Sequence, residues 1–355
     1  MEHNFFITGT NIMSGKYAKL FKFAATSFFA TLIAGVSTIQ PLINQDYQAQ
    51  AQSNTPRLWG IDEDDGQLFS FEDYLTFTGF TNYGELKWDN NGSIEAIGED
   101  IEAMTLDEDG TMYMALDRIL GVPDNGEYCA TLMSFKIQNA LEARTGNNTV
   151  SILGAIQIPC DSYKDNVSGI SIDPLTGDLI ALLKDYNNGN QSVHDKLYRI
   201  SKFDGSVVDL DNNGDPQAIG TIQGLGEQSR RAEDLEHAPD GRLFVTDNDD
   251  DKTYEVDRNT GEIIAVIDQS QEDGLGLSSG DTVKFEALGW DFGNNILVGN
   301  DDDNEVIAQL TLQDGQNQSY GDTDDMGLTD VEGIDFVPTP DGEPIDSTVA
   351  TPFSD

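Results

Sequence analysis

The chain has 355 residues, with 64 Asp and Glu against 19 Lys and Arg, so its formal charge is −45, and it holds three histidines. A field of that sign repels nucleic acid and anionic membrane surfaces and draws cations. Acids spread over the whole surface also keep a protein soluble in salt, and charge alone leaves that alternative open.

The chain begins with the pattern of an export signal. Lys16, Lys19 and Lys22 lead into an apolar run over 23–39, and Ala49-Gln50-Ala51 is a small-x-small cleavage site, with Met13 as an alternative start. Residues 1–51 are therefore expected to be a signal peptide, which places the mature chain outside the cytoplasm: secreted, periplasmic or at the cell surface. No membrane insertion is expected after cleavage. A retained membrane helix is the competing reading, disfavoured because Thr26, Ser27, Thr31 and Gly35 interrupt the apolar run.

From residue 52 to 337 one phrase recurs. It reads Ile101-Glu102-Ala103-Met104-Thr105-Leu106, then Val167-Ser168-Gly169-Ile170-Ser171-Ile172, then Ala232-Glu233-Asp234-Leu235. It returns as Phe285-Glu286-Ala287-Leu288-Gly289-Trp290 and as Val331-Glu332-Gly333-Ile334-Asp335-Phe336. Short apolar runs split by Asp-Gly, Asn-Gly and Thr-Gly turns follow each copy, which is strand chemistry. Only 134–143 has a helical pattern. A repeat of this size built from short strands predicts an all-β propeller.

A second phrase follows the first: Leu243-Phe244-Val245-Thr246-Asp247 and Leu297-Val298-Gly299-Asn300-Asp301. Leu58-Trp59-Gly60-Ile61-Asp62 carries the second phrase without the first, and the C-terminal copy carries the first without the second. The two ends complete each other. The expectation is five blades, closed by pairing the C-terminal strand with a blade drawn from residues 57–98; six blades is the alternative. Aromatic residues at strand positions, among them Trp59, Phe69, Phe244 and Trp290, are read as packing between blades. Residues 338–355 read as a flexible tail. The chain is expected to be a monomer.

In a propeller the start of each inner strand and the end of each second strand share one face. Glu102, Glu233, Glu286 and Glu332 open inner strands, while Asp62, Asp247 and Asn300 close second strands, so a carboxylate-lined central funnel is predicted. Oxygen-rich clusters suit a hard cation, and calcium accepts six to eight such ligands. The alternative is that each Glu bonds backbone within its own blade. Asp209, Asp211, Asn213 and Asp215 form half of an EF-hand loop, a second calcium candidate at a blade edge, although Gly220 stands where the closing Glu belongs.

Catalytic groups are scarce. His194, beside Asp195 in a loop on the funnel face, is the one weak candidate base; His237, alternating with Glu233 and Leu235, reads as a packed histidine. Arg230-Arg231 is the basic pair nearest the funnel. Cys129 and Cys160 fall at the same end of two expected antiparallel strands, 130–138 and 150–158, where a disulfide can close.

The Glu-Gly/Ala-aliphatic phrase, the Asp-Gly turn and the Leu-aromatic-Val-x-Asp strand resemble the blades of calcium-dependent gluconolactonase and paraoxonase-like propellers and of the esterase-like phytase propellers. The resemblance implies calcium held by Glu102, Glu233, Glu286 and Glu332 with Asp62, Asp247 and Asn300, polarising an ester or lactone. The sequence departs from those families in having five repeats and Ser168 in place of one Glu. Two functions follow: a secreted, calcium-holding module that binds a small molecule or an extracellular protein, or a calcium-dependent esterase, lactonase or phosphoesterase.

Overall fold

The computed structural model describes residues 56–339 apart from 64–65, 99, 121–127, 144–147, 160–165, 185–194, 210–216, 223–231, 248–251, 269–283, 302–304, 311, 313–316, 324–325 and 329. Within these residues 22 strands form five sheets. Strands β1 (Leu58–Asp62), β2 (Gln67–Phe71) and β3 (Thr81–Glu85) begin the first sheet. β4 (Lys87–Asn90) and β5 (Ser93–Ala96) leave it. They join β6 (Ile101–Leu106), β7 (Thr111–Leu116), β8 (Tyr128–Lys136) and β9 (Thr149–Pro159) in a sheet of order β5-β4-β9-β8-β7-β6. Helix α1 (Ile137–Ala143) lies between β8 and β9.

The next three sheets are consecutive in sequence. The third holds β10 (Asn166–Ile172), β11 (Leu179–Lys184), β12 (Lys196–Ile200) and β13 (Gly220–Thr221). The fourth holds β14 (Ala232–His237), β15 (Leu243–Asp247), β16 (Lys252–Val256) and β17 (Ile263–Asp268). The fifth holds β18 (Phe285–Asp291), β19 (Ile296–Asp301), β20 (Val306–Leu310) and β21 (Asn317–Asp322). Finally β22 (Val331–Phe336) returns to pair antiparallel with β1, from Leu58 opposite Phe336 to Asp62 opposite Val331. Inner strands β6, β10, β14, β18 and β22 pack each against the next, with β22 against β6. The protein is a five-bladed β-propeller fastened by its own two ends.

The clasp departs from expectation at one place. Residues 87–96 do not belong to the blade of β1. With β22, β1, β2 and β3 that sheet already has four strands. The chain instead crosses to the outer edge of β9, where Lys87 and Trp88 pair in parallel with Thr149 and Val150. β9 spans eleven residues, and its outer edge offers unpaired backbone groups that β4 satisfies. The helical pattern over 134–143 is also trimmed, because β8 runs on through Lys136 before α1 begins.

The blades are held by five apolar clusters, one per seam. Trp59 and Met104 meet between the first two blades, Tyr113 and Tyr198 in the next seam, and Leu182 and Tyr254 in the third. Phe244 stacks on Trp290 at 5.9 Å in the fourth, and Phe69, Val298 and Phe336 close the fifth. Second strands are covered on both faces by neighbouring blades. Hence β1, β11 and β15 are buried along their whole length and read as continuous apolar runs, not as alternation.

Near the axis the inner strands converge, and the third residue of the phrase is Ala or Gly in four copies (Ala103, Gly169, Ala287, Gly333) and Asp234 in the remaining one. A Cβ on Gly169 would meet the Leu235 amide nitrogen and Asp234 Oδ1 at 2.9 Å. Among the described residues no helix is long and apolar enough to cross a membrane.

Candidate functional site: a bulged ring of carboxylates

Every inner strand is irregular at the same place. The pairing steps from Ile101–Leu116 to Ala103–Ala115, skipping Glu102, and from Val167–Leu183 to Gly169–Leu182, skipping Ser168. It skips Glu286 between Phe285–Asp301 and Ala287–Asn300, and Glu332 between Asp62–Val331 and Ile61–Gly333. In β14, Glu233 and Asp234 together oppose Thr246 alone. A bulge leaves its extra residue outside the ladder and re-aims its side chain. The repeated glutamate is thus the bulged residue of its blade.

The bulges bring the glutamates into one another's field. Burial, and after it the charges of Glu286, Glu63, Glu102 and Asp330, push the pKa of Glu332 well above the usual range. Burial and then Asp117 push Glu102 up to about 7, with Glu233 and Asp100 adding to the rise and Lys184 opposing it. Burial followed by Asp100 and Glu63 drives Asp117 to about 7 as well. Carboxylates this close resist simultaneous ionisation.

The funnel has two unlike halves. On one side β11 ends in Lys184, whose ammonium donates to Glu233 Oε2 of the next blade, both side chains nearly buried at 9% and 10% exposure. Beside it Asn166 Nδ2 donates to Glu102 Oε2 at 2.6 Å. Lysine acts here as a built-in counterion. On the other side Glu63, Asp330 and Glu332 each place a carboxylate oxygen within 4.8 Å of the others. Asn300 reaches this side from β19. Its Nδ2 donates to the carbonyl of Val331, the residue between Asp330 and Glu332, at 3.3 Å, while its buried Oδ1 has no hydrogen-bond partner among the described residues.

The expected ligands are therefore sorted by the register. Glu102, Glu286 and Glu332 gather at the funnel; Glu233 is there but bonded to Lys184. Asp62 and Asp247 lie at the same strand ends, opposite Val331 and Ala232, and are buried at 3% and 0% exposure. Their register equivalent in the fifth sheet is Asp301, opposite Phe285; Asn300 is one step earlier, opposite Ala287. Ser168, where one copy lacks Glu, donates Oγ to the Ala232 carbonyl at 2.8 Å and so joins two blades instead.

Sequence reasoning passed over Lys184, Asn166, Glu63 and Asp330. A signal for two of these positions, Asn166 and Asp330, was present. The residue two before each phrase glutamate, or its serine substitute, is Asp100, Asn166, Arg231, Lys284 or Asp330. Asn166 bonds Glu102 and Asp330 lies with Glu332, so two members of this column reach the funnel.

His237 is fully buried, with Nδ1 at 3.0 Å from Ser171 Oγ, and burial holds its pKa down at about 4. It packs as a neutral ring, although its Nε2 has no hydrogen-bond partner. His194, the Arg230-Arg231 pair, Asp211, Asn213, Asp215, Cys160 and the Cys129 side chain lie outside the described residues, and of the loop ligands only Asp209 lies within them. The strand register does set Tyr128 opposite Pro159, which brings the start of β8 to the end of β9 as a Cys129–Cys160 bridge requires.

No protein-family model matches the chain, and no curated protein matches it in sequence. Among solved structures it is similar to a protein of unknown function from Bacteroides caccae, at 10% identity and a TM-score of 0.40, over 75% of this chain and 72% of that one. It is also similar to a structural genomics protein of unknown function from Bacteroides thetaiotaomicron VPI-5482, at 10% identity and TM-score 0.40. That alignment covers 76% of this chain, which spans 58% of the length of that protein.

Proposed function

We propose that this chain is an exported acidic β-propeller that binds calcium at its carboxylate-lined funnel and offers that face to a small-molecule ligand or an extracellular protein. The observation that carries the reading is the Glu63–Asp330–Glu332 cluster, with three oxygens within 4.8 Å and the orphaned Asn300 Oδ1 beside the same segment. A buried acceptor without a donor and a carboxylate surrounded by carboxylates have the same remedy, a cation. The donor set is all oxygen, which selects calcium over zinc or copper. Glu286 and Glu102 stand near enough to Glu332 to feel its charge and complete the negative surround.

Calcium-dependent hydrolysis of an ester, lactone or phosphoester is the second reading, in keeping with the blade resemblance. It is favoured by Glu102, whose carboxyl titrates at about 7 and is held in place by Asn166 at the funnel. That is the range in which a carboxylate serves as a general base. The bound ion would supply the polarising charge, while Asn166 holds the base.

The test is thermal unfolding in calcium and in chelator, run beside a panel of lactones, aryl esters and phosphoesters. Calcium-dependent stability without turnover supports the binding module. Turnover abolished by Glu102→Gln, with calcium stabilisation intact, supports the hydrolase. Identical melting in calcium and chelator would remove the basis for both.

A further inference from the structure

We infer that the cation at Glu63, Asp330 and Glu332 is the fastener of the propeller ring, an inference that rests on the calcium reading above. In four sheets the β-meander around the inner strand is built from consecutive chain; only the sheet of order β22-β1-β2-β3 is closed by strands from opposite ends of the domain. The three carboxylates straddle that one join. Glu63 follows β1, while Asp330 and Glu332 flank the first residue of β22. The Glu63 amide also donates to the Asp330 carbonyl at 2.7 Å, so the site caps the last rung of the β1–β22 ladder.

The donors therefore come from three separate pieces of chain. Glu63 follows the first strand, Asp330 and Glu332 flank the start of the last, and Asn300 belongs to the second strand of the preceding blade. Asn300 is 1% exposed and its Oδ1 is unpartnered, while its Nδ2 holds the Val331 carbonyl. An ion bound there joins the two termini of the ring and the neighbouring blade at once. Without the ion, the join keeps its backbone rungs alone. By linkage, an ion that binds only the closed seam suppresses its opening by a factor of one plus the ratio of concentration to Kd, about a hundredfold at a hundred times Kd.

Hydrogen exchange followed by mass spectrometry, on the full chain in calcium and in chelator, reads this directly. Calorimetry on the same samples reports whether calcium binds. The expected result is slower exchange in β1 and β22 with calcium, by a larger factor than in β11 or β15, whose neighbours are continuous in sequence. Glu63→Gln should abolish that calcium-dependent slowing. In chelator, where no ion is held, it should leave exchange in β1 and β22 close to that of the parent chain. Calcium binding with equal slowing in every blade, or with none in β1 and β22, overturns the fastener while leaving the calcium site standing. Absence of binding in calorimetry overturns both.

Discussion

Asp234 and Asp335 do the same work at two different seams of the ring. Asp234 accepts the amide of Leu235, which follows it, and the amide of Leu288 on the next inner strand, each at 2.7 Å. Asp335 accepts the amides of Phe336 and of Leu106 on the next inner strand, again at 2.7 Å, with Thr105 Oγ1 at 3.2 Å. Both are buried, at 1% and 2% exposure. The inner strands belong to different sheets and form no ladders with one another, and these carboxylates bridge them.

Asp335→Ala should therefore cost far more than an average surface change. It orphans two buried amides, each worth roughly 1–3 kcal/mol, so a loss on the order of 2–5 kcal/mol is expected. Urea unfolding should show a lower midpoint at unchanged slope. A shift corresponding to less than about 1 kcal/mol would mean that water or a neighbouring carbonyl replaces the carboxylate.

Stability should fall as pH rises in the absence of divalent ions. Burial lifts Asp335, Glu102 and Asp117 each to about 7, from ordinary values of 3.8, 4.5 and 3.8. An acid whose folded pKa is raised stabilises the fold below its unfolded pKa and loses that contribution as pH climbs through the folded value. His237 runs the other way: held at about 4, it contributes above pH 6.5 and loses that contribution as pH falls towards 4. One histidine is outweighed by three carboxylates and by the further raised Asp234, Glu236 and Glu332. Thermal melts in chelator should give a higher Tm at pH 5 than at pH 8, and calcium should shrink the difference. A Tm that rises from pH 5 to pH 8 in chelator contradicts the assignment of these carboxyls.

Lys184→Met should strip the funnel of its internal counterion. The Lys184–Glu233 pair is nearly buried, and breaking such a pair from one side costs on the order of 3–5 kcal/mol. The double change Lys184→Met with Glu233→Met, which removes both charges, should recover most of that loss in urea unfolding. A double variant no more stable than the single one would show that the pair acts through something other than charge.

Two glycines should both resist alanine. At Gly333 an added Cβ meets Met104 Cγ at 2.4 Å, with the backbone nitrogen of Met104 at 3.3 Å, and Met104 is buried. At Gly169 it meets the Leu235 backbone and the Asp234 carboxylate of the neighbouring blade at 2.9 Å. Either alanine should cost about 1–3 kcal/mol by overpacking. A change below about 0.5 kcal/mol for Gly169→Ala in urea melts would contradict the close approach of β10 to β14.

Blade number and ring closure were legible because they depend on local pattern. Leu58–Asp62 and Val331–Phe336 each carry half of a two-phrase unit, and only their pairing completes it. The crossing of residues 87–96 to β9 was not legible, since Lys87–Asn90 makes an ordinary short strand and nothing local says which edge receives it. The funnel was half legible. Glu102, Glu233, Glu286 and Glu332 announce themselves by repetition. The bulge that aims them is a property of two strands in register, and the Lys184–Glu233 and Asn166–Glu102 contacts join different blades, so no single repeat encodes them. Glu63 looks like one acid in an acidic run until β22 sets Asp330 beside it.

The central claim is that the funnel holds calcium at Glu332 and its neighbours, and calorimetric titration of the chain beside its Glu332→Gln variant tests it most directly. The account predicts saturable binding with release of protons at pH 7, because Glu332, Glu102 and Asp117 hold protons that the ion displaces, and at least tenfold weaker binding in the variant. Equal affinity in both proteins, or no heat of binding in millimolar calcium, would contradict it.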